Sequence, residues 1–278
     1  MMPGNPSRVV DSAAAYDRYA PGYDSLLSEN RINAHMRRAM MAFERATFRP
    51  GQRLLEVGCG TGDEAIALAV LGCDVVGMDP SSEMIRIARA KAAAAPLRGT
   101  VRFVAGYARD LDTALGDEDD ASFDGGYSSF ALSYEKGLDG VRDGLSRLLR
   151  PGGVFLASAM NRLSGAEWVL SLASIHPSLS GRRLEASTPH KVGSVRTNVY
   201  CRTASELARG FAPGFQVINL RGLPVVLPPP YANRPLLRWP TLITALGRLD
   251  AHVGGWPILR YLGDHNVVWL RRSGGPPR

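Results

Sequence analysis

The feature that most constrains the fold of this chain is a short apolar run stopped by glycines at alternate positions, Leu54-Leu55-Glu56-Val57-Gly58-Cys59-Gly60-Thr61-Gly62. Residues 53–57 have the length and composition of a strand buried on both faces. Residues 63–71 are rich in helix formers, and Gly72 follows where a C-cap glycine is expected. A strand, a glycine loop and a helix in this order begin a parallel βαβ unit.

The same alternation continues along the chain. Short apolar runs predict further strands at residues 74–78, 101–105, 123–127 and 154–158. Helices are expected at residues 16–48, 81–95 and 138–149, and Met84, Ile85, Ile87 and Ala88 share one face of the second. This order predicts an α/β fold with a Rossmann-like, doubly wound and mostly parallel sheet.

The alternation stops after the fifth strand, where two long connections begin. About fifty residues precede the next strand, expected at 215–220, and residues 223–263 precede the last strand, expected at 266–270 and antiparallel. Connections of this length are usually functional, so we predict cap insertions after strands five and six. Within them we expect a helix at 167–175, an extended segment at 190–201, a helix at 203–211 with a Thr203–Glu206 capping box, and an amphipathic stretch at 236–262.

Charge is divided unevenly along the chain. The net charge is −3 over residues 1–150 and +10 over residues 151–278, and the second part also holds all four tryptophans. A basic, tryptophan-bearing region can face an anionic substrate, an acidic carrier protein, a membrane surface or nucleic acid. Dispersed arginines are also typical of an ordinary solvated surface, and the sequence leaves these alternatives open.

Cysteine usage and hydropathy bear on the location of the protein. The three cysteines, Cys59, Cys73 and Cys201, are scattered and predict neither a disulfide framework nor a C-x-x-C site. The first eleven residues contain no apolar signal region, and no apolar run is long enough to span a membrane. We therefore expect a cytoplasmic protein without a transmembrane segment.

The glycine loop and the end of the second strand predict the kind of cofactor. The spacing Gly58-x-Gly60-x-Gly62 departs from G-x-G-x-x-G, and the Glu56 carboxylate would repel a pyrophosphate but attract a group bearing sulfonium and ammonium charges. Asp79 ends the second strand, where a carboxylate can accept both hydroxyls of a ribose. Asp79 can alternatively cap the next helix, although Ser81 and Ser82 are also available for that role.

These residues resemble the class I S-adenosylmethionine-dependent methyltransferases, in particular the small-molecule branch of the ubiquinone and menaquinone biosynthesis type. The resemblance covers residues 12–160 and includes Tyr16-Asp17-x-x-Ala20-x-x-Tyr23-Asp24, which is similar to the segment that folds over the cofactor in that branch. It implies that the glycine loop holds the methionine part of S-adenosylmethionine, Asp79 the ribose and Met84 the adenine. The cofactor-binding residues implied are Tyr16, Tyr23, Glu56, Gly58, Cys59, Gly60, Thr61, Gly62, Asp79, Pro80, Met84, Tyr107, Ala108 and Ser128.

One position departs from the pattern of that family. After the third strand the family often has Gly-Asp-Ala, with the aspartate on the adenine amino group, whereas this chain has Gly106-Tyr107-Ala108. Tyr107 can stack on the adenine or replace the carboxylate with its hydroxyl, or Asp110 can serve instead.

The resemblance implies an in-line methyl transfer, for which a general base is needed only if the acceptor must lose a proton. The tip of the fourth strand, with Ser128, Ser129 and Phe130, is expected to face the methyl group. Candidate bases are His176, His190 and Tyr134, although a single histidine is more often structural, and His265 is the weakest candidate. No cluster has metal-ligand spacing, so no metal is expected.

The resulting hypothesis is a methyltransferase that acts on O, N or C of a small hydrophobic or anionic metabolite, which includes a lipid-like one. The alternatives are a non-catalytic cofactor-binding subunit and a nucleic-acid methyltransferase. Nucleic acid is not expected as a partner, because the Asn/Asp-Pro-Pro-aromatic tetrad of adenine amine methylation is absent. We expect residues 1–50 to form a helical lid, residues 51–160 the cofactor-binding core, and residues 161–278 the substrate cap and last two core strands.

Overall fold

A computed structural model describes residues 9–173 and 181–274. Within this part of the chain, seven strands form the main sheet in the order β3-β2-β1-β4-β5-β9-β8. Only β9 runs antiparallel, so the predicted doubly wound sheet with an antiparallel last strand is confirmed. The bounds are β1 Arg53–Val57, β2 Asp74–Asp79, β3 Val101–Ala105, β4 Phe123–Ser128, β5 Leu149–Met160, β8 Phe215–Leu223 and β9 His265–Arg272.

Four helices connect the parallel strands: α4 Asp63–Leu71, α5 Ser82–Ala93, α6 Leu111–Ala114 and α7 Asp139–Leu148. The predicted bounds of β1, α4 and β3 are confirmed. Gly72 ends α4 at a φ of +104°, which is the left-handed C-cap that the sequence indicated. The Ser81 side chain caps α5 by accepting a hydrogen bond from the Met84 amide.

The segment before β1 is not the continuous helix predicted over residues 16–48. It contains α1 Ser12–Tyr19, a 3-10 turn at Ala20–Gly22, α2 Tyr23–Glu29 and α3 Arg31–Thr47. Pro21 and Gly22 interrupt the first helix because proline lacks an amide donor and glycine disfavours helix interiors. Asn30 then starts α3 by accepting hydrogen bonds from the amides of Ile32 and Asn33.

The connection between β5 and β8 contains α8 Gly165–Ala173, β6 Thr188–Val192, β7 Val195–Val199 and α9 Ala204–Phe211. The predicted extended segment at 190–201 is therefore a hairpin, which turns at Gly193 with a φ of +57° and forms its own two-stranded sheet. Two-residue hairpin turns require such left-handed backbone. The predicted Thr203–Glu206 capping box at the start of α9 is confirmed.

The connection between β8 and β9 contains α10 Asn233–Leu236 and α11 Pro240–Val253, with 3-10 turns at Pro230–Ala232 and Leu259–Tyr261. Only the middle of the predicted stretch at 236–262 is therefore helical. The buried Asp250 carboxylate fastens this connection by accepting the amides of Val225, Val226 and Leu227 at 2.6, 2.6 and 3.1 Å.

The main sheet is buried on both faces. Leu54 and Leu55, successive residues of β1, pack into two separate apolar clusters. One cluster joins the sheet to α6, α7 and α9, and the other joins it to α3, α4 and α5. None of the helices in the described residues is both long and apolar enough to cross a bilayer.

Candidate functional site

A cavity of about 390 Å³ lies where the loops after β1, β2, β3 and β4 meet the N-terminal helices. The carboxyl ends of parallel strands are the usual ligand site of such sheets, and this volume suits a small molecule. Residues of both long connections also line the cavity, among them Arg182, His190 and Tyr231, and so does His265, the first residue of β9.

The glycine loop forms one wall of the cavity through the backbone of Gly58 and Gly60. Both residues have positive φ, +81° and +51°, which side chains rarely adopt. A Cβ atom at Gly58 would lie 2.1 Å from the Cβ atom of Ala131, on the loop after β4. At Gly60 it would meet only a ring atom of Tyr23, at 3.9 Å, so this glycine leaves open space beside the cavity.

Asp79 lies at the end of β2 and also lines the cavity. Its two carboxylate oxygens accept the amides of Gly60 and Ser81, each at 2.9 Å, which ties the glycine loop to the start of α5. Burial raises the pKa of Asp79 to about 6, although these two hydrogen bonds oppose the rise. Each oxygen keeps a second lone pair that a hydroxyl can use.

Two carboxylates dock the N-terminal helices on the core. Asp17 accepts hydrogen bonds from the Ser81 hydroxyl at 2.6 Å and the Glu83 amide at 3.1 Å, at the N-terminus of α5. Asp24 accepts the Thr61 hydroxyl at 2.6 Å and Lys91 Nζ at 2.9 Å. A carboxylate at a helix N-terminus is favourable, because the free amides and the helix dipole both attract it.

This docking places a group of tyrosine rings over the cavity. Tyr16, Tyr19 and Tyr23 line it and pack edge to face with one another. The hydroxyls of Tyr16 and Tyr134 lie 2.6 Å apart and share a hydrogen bond. Burial raises the pKa of Tyr134 to about 12, so the phenol keeps its proton at neutral pH.

The cavity wall formed by the long connections contains a buried ion network around Arg183. Its Nη2 donates to Asp264 Oδ1 at 2.6 Å, its Nη1 donates to the carbonyls of Asn161 and Asp264, and its Nε pairs with Glu167. Arg182 pairs with the same Glu167 at 2.9 Å but is exposed over 42% of its side chain. Arg183 therefore compensates two buried carboxylates at once.

His265 is the residue after Asp264, and it also lines the cavity. Its Nδ1 lies 3.0 Å from Asp264 Oδ2, in close contact but without hydrogen-bond geometry. Its ring packs edge to face on Phe130, with ring centroids 5.0 Å apart. Phe130 itself has a φ of +65°, and its amide is held by the Ser158 hydroxyl at 2.7 Å. Such backbone strain clusters at functional sites.

Three buried carboxylates, Glu44, Glu56 and Glu64, lie beside the glycine loop. Burial raises the pKa of all three. Coulomb repulsion raises it further, from Glu64 at Glu44, from Glu64 and Glu44 at Glu56, and from Asp63 at Glu64. Arg37 offsets part of this charge through a 2.8 Å ion pair with Glu64, and Arg37 also lines the cavity. The environment next to the loop therefore favours a positively charged group.

Comparisons with known proteins agree with this geometry. Residues 54–153 match the family described as a methyltransferase domain. A demethylmenaquinone methyltransferase of Symbiobacterium thermophilum is 29% identical over 145 residues, which are 51% of this chain and 55% of that protein. An O-methyltransferase of Aspergillus nomiae is 31% identical over 140 residues, which are 50% of this chain and 56% of that protein.

The matched part of this chain, residues 54–153, is therefore similar to a methyltransferase domain. The fold agrees as well. The crystal structure described as a putative S-adenosylmethionine-dependent methyltransferase from Listeria monocytogenes has a TM-score of 0.58 and 17% identity, covering 87% of this chain and 99% of that one. The chain spans a little over half the length of the two curated methyltransferases above, so the match concerns the domain.

The residues of the cavity suit S-adenosylmethionine, the cofactor named for the Listeria protein. The glycines present bare backbone to the cavity, and the Asp79 carboxylate retains acceptor lone pairs. An acidic surrounding and an open backbone are what a cationic ligand with a ribose requires.

The cavity brings together thirteen of the residues predicted to act in binding or catalysis. These are Tyr16, Tyr23, Gly58, Gly60, Asp79, Pro80, Met84, Ala108, Ser129, Phe130, Tyr134, His190 and His265. The predicted candidate base His176 lies outside the described residues.

Six predicted residues do not line the cavity. Glu56 is buried and accepts the Tyr127 hydroxyl at 3.2 Å, Thr61 donates to Asp24, and Cys59, Gly62 and Ser128 are packed inside the fold. Tyr107 points elsewhere, because its hydroxyl donates to Asp11 at 2.6 Å and its ring lies under the Arg109 guanidinium. Gly106 and Ala108, the residues on either side of Tyr107, line the cavity instead.

Sequence reasoning missed the ion network and ranked His265 as the weakest candidate base. The members of the network are far apart in the chain, with Arg183 and Asp264 separated by 81 residues, so no local pattern joins them. One signal was available. Because the last strand is antiparallel, its first residues, and not its last, lie at the carboxyl edge of the sheet, which places Asp264 and His265 at the site.

A prediction about stability follows from the buried Glu44. Burial, and then repulsion from Glu64, raise its pKa from about 4.5 to about 8. The folded state thus holds a proton that the unfolded chain releases, so stability falls as pH rises from about 4.5 to about 8, by at most about 1.4 kcal/mol per pH unit. Glu44→Gln can keep the hydrogen bond from the Ser129 hydroxyl. We expect the variant to be more stable than the parent at pH 8 and equally stable near pH 4.5.

Urea unfolding at pH 4.5, 6 and 8 measures this effect. Glu29→Gln, on the exposed surface of α2, is the control and is expected to leave the pH dependence unchanged. Parallel pH profiles for Glu44→Gln and the parent would contradict the assignment of a protonated Glu44.

Proposed function

We propose that this protein transfers a methyl group from S-adenosylmethionine to a small molecule. The observation that carries the proposal is that one cavity holds both the residues suited to the cofactor and those of the long connections. The glycine loop and Asp79 lie in the same space as Arg182, His190 and His265. A methyl donor and an acceptor bound there would be neighbours, and proximity supplies much of the rate enhancement of such a transfer.

The proposed cofactor contacts follow from the cavity lining. Asp79 would accept the ribose hydroxyls, the backbone of Gly58 and Gly60 would receive the methionine part, and Met84 and Pro80 would pack near the adenine. The cofactor supplies a methyl group on a positively charged sulfur, which makes that carbon open to attack by a nucleophile.

The N-terminal helices would act as a lid over the bound molecules. Asp17 and Asp24 fasten these helices at two points of the core, and Tyr16, Tyr19 and Tyr23 form the inner surface. Excluding water strengthens electrostatic interactions inside a site and prevents side reactions. We therefore propose residues 1–50 as the lid, residues 51–160 as the cofactor-binding core and residues 161–278 as the substrate cap with the last two strands.

The wall chemistry supports an anionic or lipid-like substrate. Arg182 and Lys191 bring positive charge to the cavity, and Leu27, Met36 and Met160 bring apolar surface. A few polar groups on an apolar wall fix the orientation of a small ligand. We also propose a cytoplasmic location, which suits three cysteines that are free and buried.

The cofactor contact is tested with a pair of aspartate variants on the same strand. Asp79→Asn removes the charge that would accept the ribose hydroxyls, and we expect it to weaken S-adenosylmethionine binding by at least about tenfold, because a charge-assisted hydrogen bond contributes about 1.5–3 kcal/mol. Asp74→Asn, at the other end of β2, alters only the hydrogen bonds from Thr100 and is expected to bind like the parent.

Isothermal titration calorimetry measures both affinities, and thermal unfolding confirms that each variant is folded. Equal affinities for Asp79→Asn and Asp74→Asn would contradict the role of Asp79 in binding the cofactor.

A further inference from the structure

The start of β9 brings a carboxylate and an imidazole to the cavity. His265 pairs in register with Met160 at the end of β5 and with Leu223 at the end of β8, so it sits at the carboxyl edge of the parallel strands. Both Asp264 and His265 line the cavity, and both are more than nine-tenths buried. The two groups therefore face a ligand from a strand end rather than from a loop.

Asp264 is held as an anion. Burial alone would raise its pKa, but the Arg183 guanidinium at 2.6 Å and the neighbouring His265 hold the pKa well below its usual range. Arg183 also fixes the backbone around it by donating to the carbonyl of Asp264 at 3.1 Å. The carboxylate is thus both charged and immobile at neutral pH.

The carboxylate fixes which nitrogen of His265 is available. Nδ1 lies 3.0 Å from Asp264 Oδ2 without hydrogen-bond geometry, and within the described residues it has no hydrogen-bond partner. A negative charge at this distance favours the tautomer with its proton on Nδ1, which leaves a lone pair on Nε2. A base oriented by a second group in this way is the usual arrangement of proton-accepting histidines.

A short chain of contacts connects His265 with the glycine loop. Its ring packs on Phe130, and Ala131, the next residue, is the one that a Cβ atom at Gly58 would strike. The Phe130 amide donates a hydrogen bond to the Ser158 hydroxyl. This bond fixes the left-handed backbone at Phe130 and so holds these contacts in place. His265 is therefore near the part of the cavity assigned to the methionine end of the cofactor.

The other two candidate bases in the cavity lack these features. Tyr134 shares its hydroxyl proton with Tyr16, and burial raises its pKa to about 12, so it is not a proton acceptor at neutral pH. His190 lines the cavity on β6, and burial, followed by repulsion from Arg182, lowers its pKa. Within the described residues His190 makes no hydrogen bond that would orient its ring.

We propose that His265, positioned by Asp264, is the general base that removes the proton of an acceptor hydroxyl, so that the substrate is a phenol, an enol or another hydroxyl compound. The O–H bond breaks and its proton passes to Nε2. The oxygen electron pair then forms the bond to the methyl carbon, and the electron pair of the carbon–sulfur bond stays on sulfur. Asp264 stabilises the imidazolium that results. The proposal rests on the proposed methyltransferase function.

The tautomer of His265 is tested first, since it needs no substrate. In protein labelled with ¹⁵N-histidine, NMR at pH 8 is expected to find the proton on Nδ1 and a bare Nε2. Asp264→Asn is expected to abolish this preference, while Asp250→Asn, in another buried site, leaves it unchanged. A proton on Nε2 in the parent protein would overturn the proposal, because that nitrogen could not accept another.

The catalytic role is tested by transfer of labelled methyl from S-adenosylmethionine into the small-molecule fraction of a cell extract. His265→Gln is expected to lower transfer by at least about 100-fold, which is the usual contribution of a general base. Its affinity for S-adenosylmethionine should stay within about twofold of the parent, and His252→Gln, on the exposed side of α11, should transfer normally. Transfer by His265→Gln within about threefold of the parent would overturn the proposal.

The two tests separate this proposal from the proposed function. Loss of transfer with intact cofactor binding supports the base and leaves the methyltransferase function standing. If the parent protein itself neither binds the cofactor nor transfers the label, the proposed function fails, and with it the proposal that rests on it.

Discussion

Arg183→Met is expected to destabilise the fold by about 3–5 kcal/mol, because it leaves two buried carboxylates without their common cation. Glu167 and Asp264 are each no more than 2% exposed in their side chains, and Arg183 pairs with both. Methionine fills a similar length but supplies neither charge nor hydrogen bonds to the carbonyls of Asn161 and Asp264. Urea unfolding at pH 7 measures the loss.

Arg182→Met is the matched control for this variant. Arg182 pairs with the same Glu167, but its side chain is 42% exposed, and exposed ion pairs contribute at most about 1 kcal/mol. We therefore expect the control to unfold close to the parent. Equal destabilisation by both variants would contradict the view that burial, and not pairing alone, makes Arg183 important.

The second large effect is expected at Gly60. Gly60→Ala adds a methyl group beside the cavity, where only Tyr23 lies within 4 Å. The new atom therefore clashes with no protein atom, but it occupies space that the bound cofactor needs. We expect affinity for S-adenosylmethionine to fall by at least about tenfold, since a backbone that a ligand must touch cannot carry a Cβ atom. Calorimetric titration measures this change.

Gly51→Ala separates the effect of the cavity from that of backbone strain. Gly51 has a φ of +83° with nothing within 4 Å of its added Cβ atom, and it lies outside the cavity. An alanine in left-handed backbone costs about 1–2 kcal/mol at either position. The two variants should therefore lose similar stability, while only Gly60→Ala loses affinity. Weakened binding in Gly51→Ala would indicate that strain alone explains the result.

The parallel core could be predicted closely because its signals are local. The bounds of β1, α4 and β3 follow from apolar runs that end at glycines or turn residues. Gly72 and Ser81 mark helix ends, because glycine is common at C-caps and serine at N-caps. The antiparallel β9 was also predicted, and the glycine loop with Asp79 lies at the cavity that the strand order implies.

Other parts depended on contacts that no local pattern contains. The helical segment at 16–48 breaks at Pro21-Gly22 and at Asn30, and these signals are visible in the sequence but were outweighed by its apolar residues. The Tyr107 hydroxyl donates to Asp11, a residue 96 positions earlier, and Tyr107 does not line the cavity. The hairpin at 188–199 required a turn at Gly193 that an extended pattern alone does not specify.

His265 illustrates how topology supplies what residue patterns do not. As a single histidine before a strand it had no feature that favours catalysis. Its significance comes from the reversed direction of β9, the buried Asp264 beside it and the cavity in front of it, which exist only once the sheet is assembled. Arg183 comes from a different part of the chain, and its pairing with Asp264 likewise exists only in the folded protein.

The most direct test of the central claim is transfer of tritium from methyl-labelled S-adenosylmethionine by the purified protein, with an extract of cells as the source of acceptors. The extract is then separated into small molecules, nucleic acid and protein. We expect label in the small-molecule fraction, dependent on the protein and reduced in Asp79→Asn. Label confined to nucleic acid or protein, or no transfer by a protein that binds the cofactor, would contradict the account.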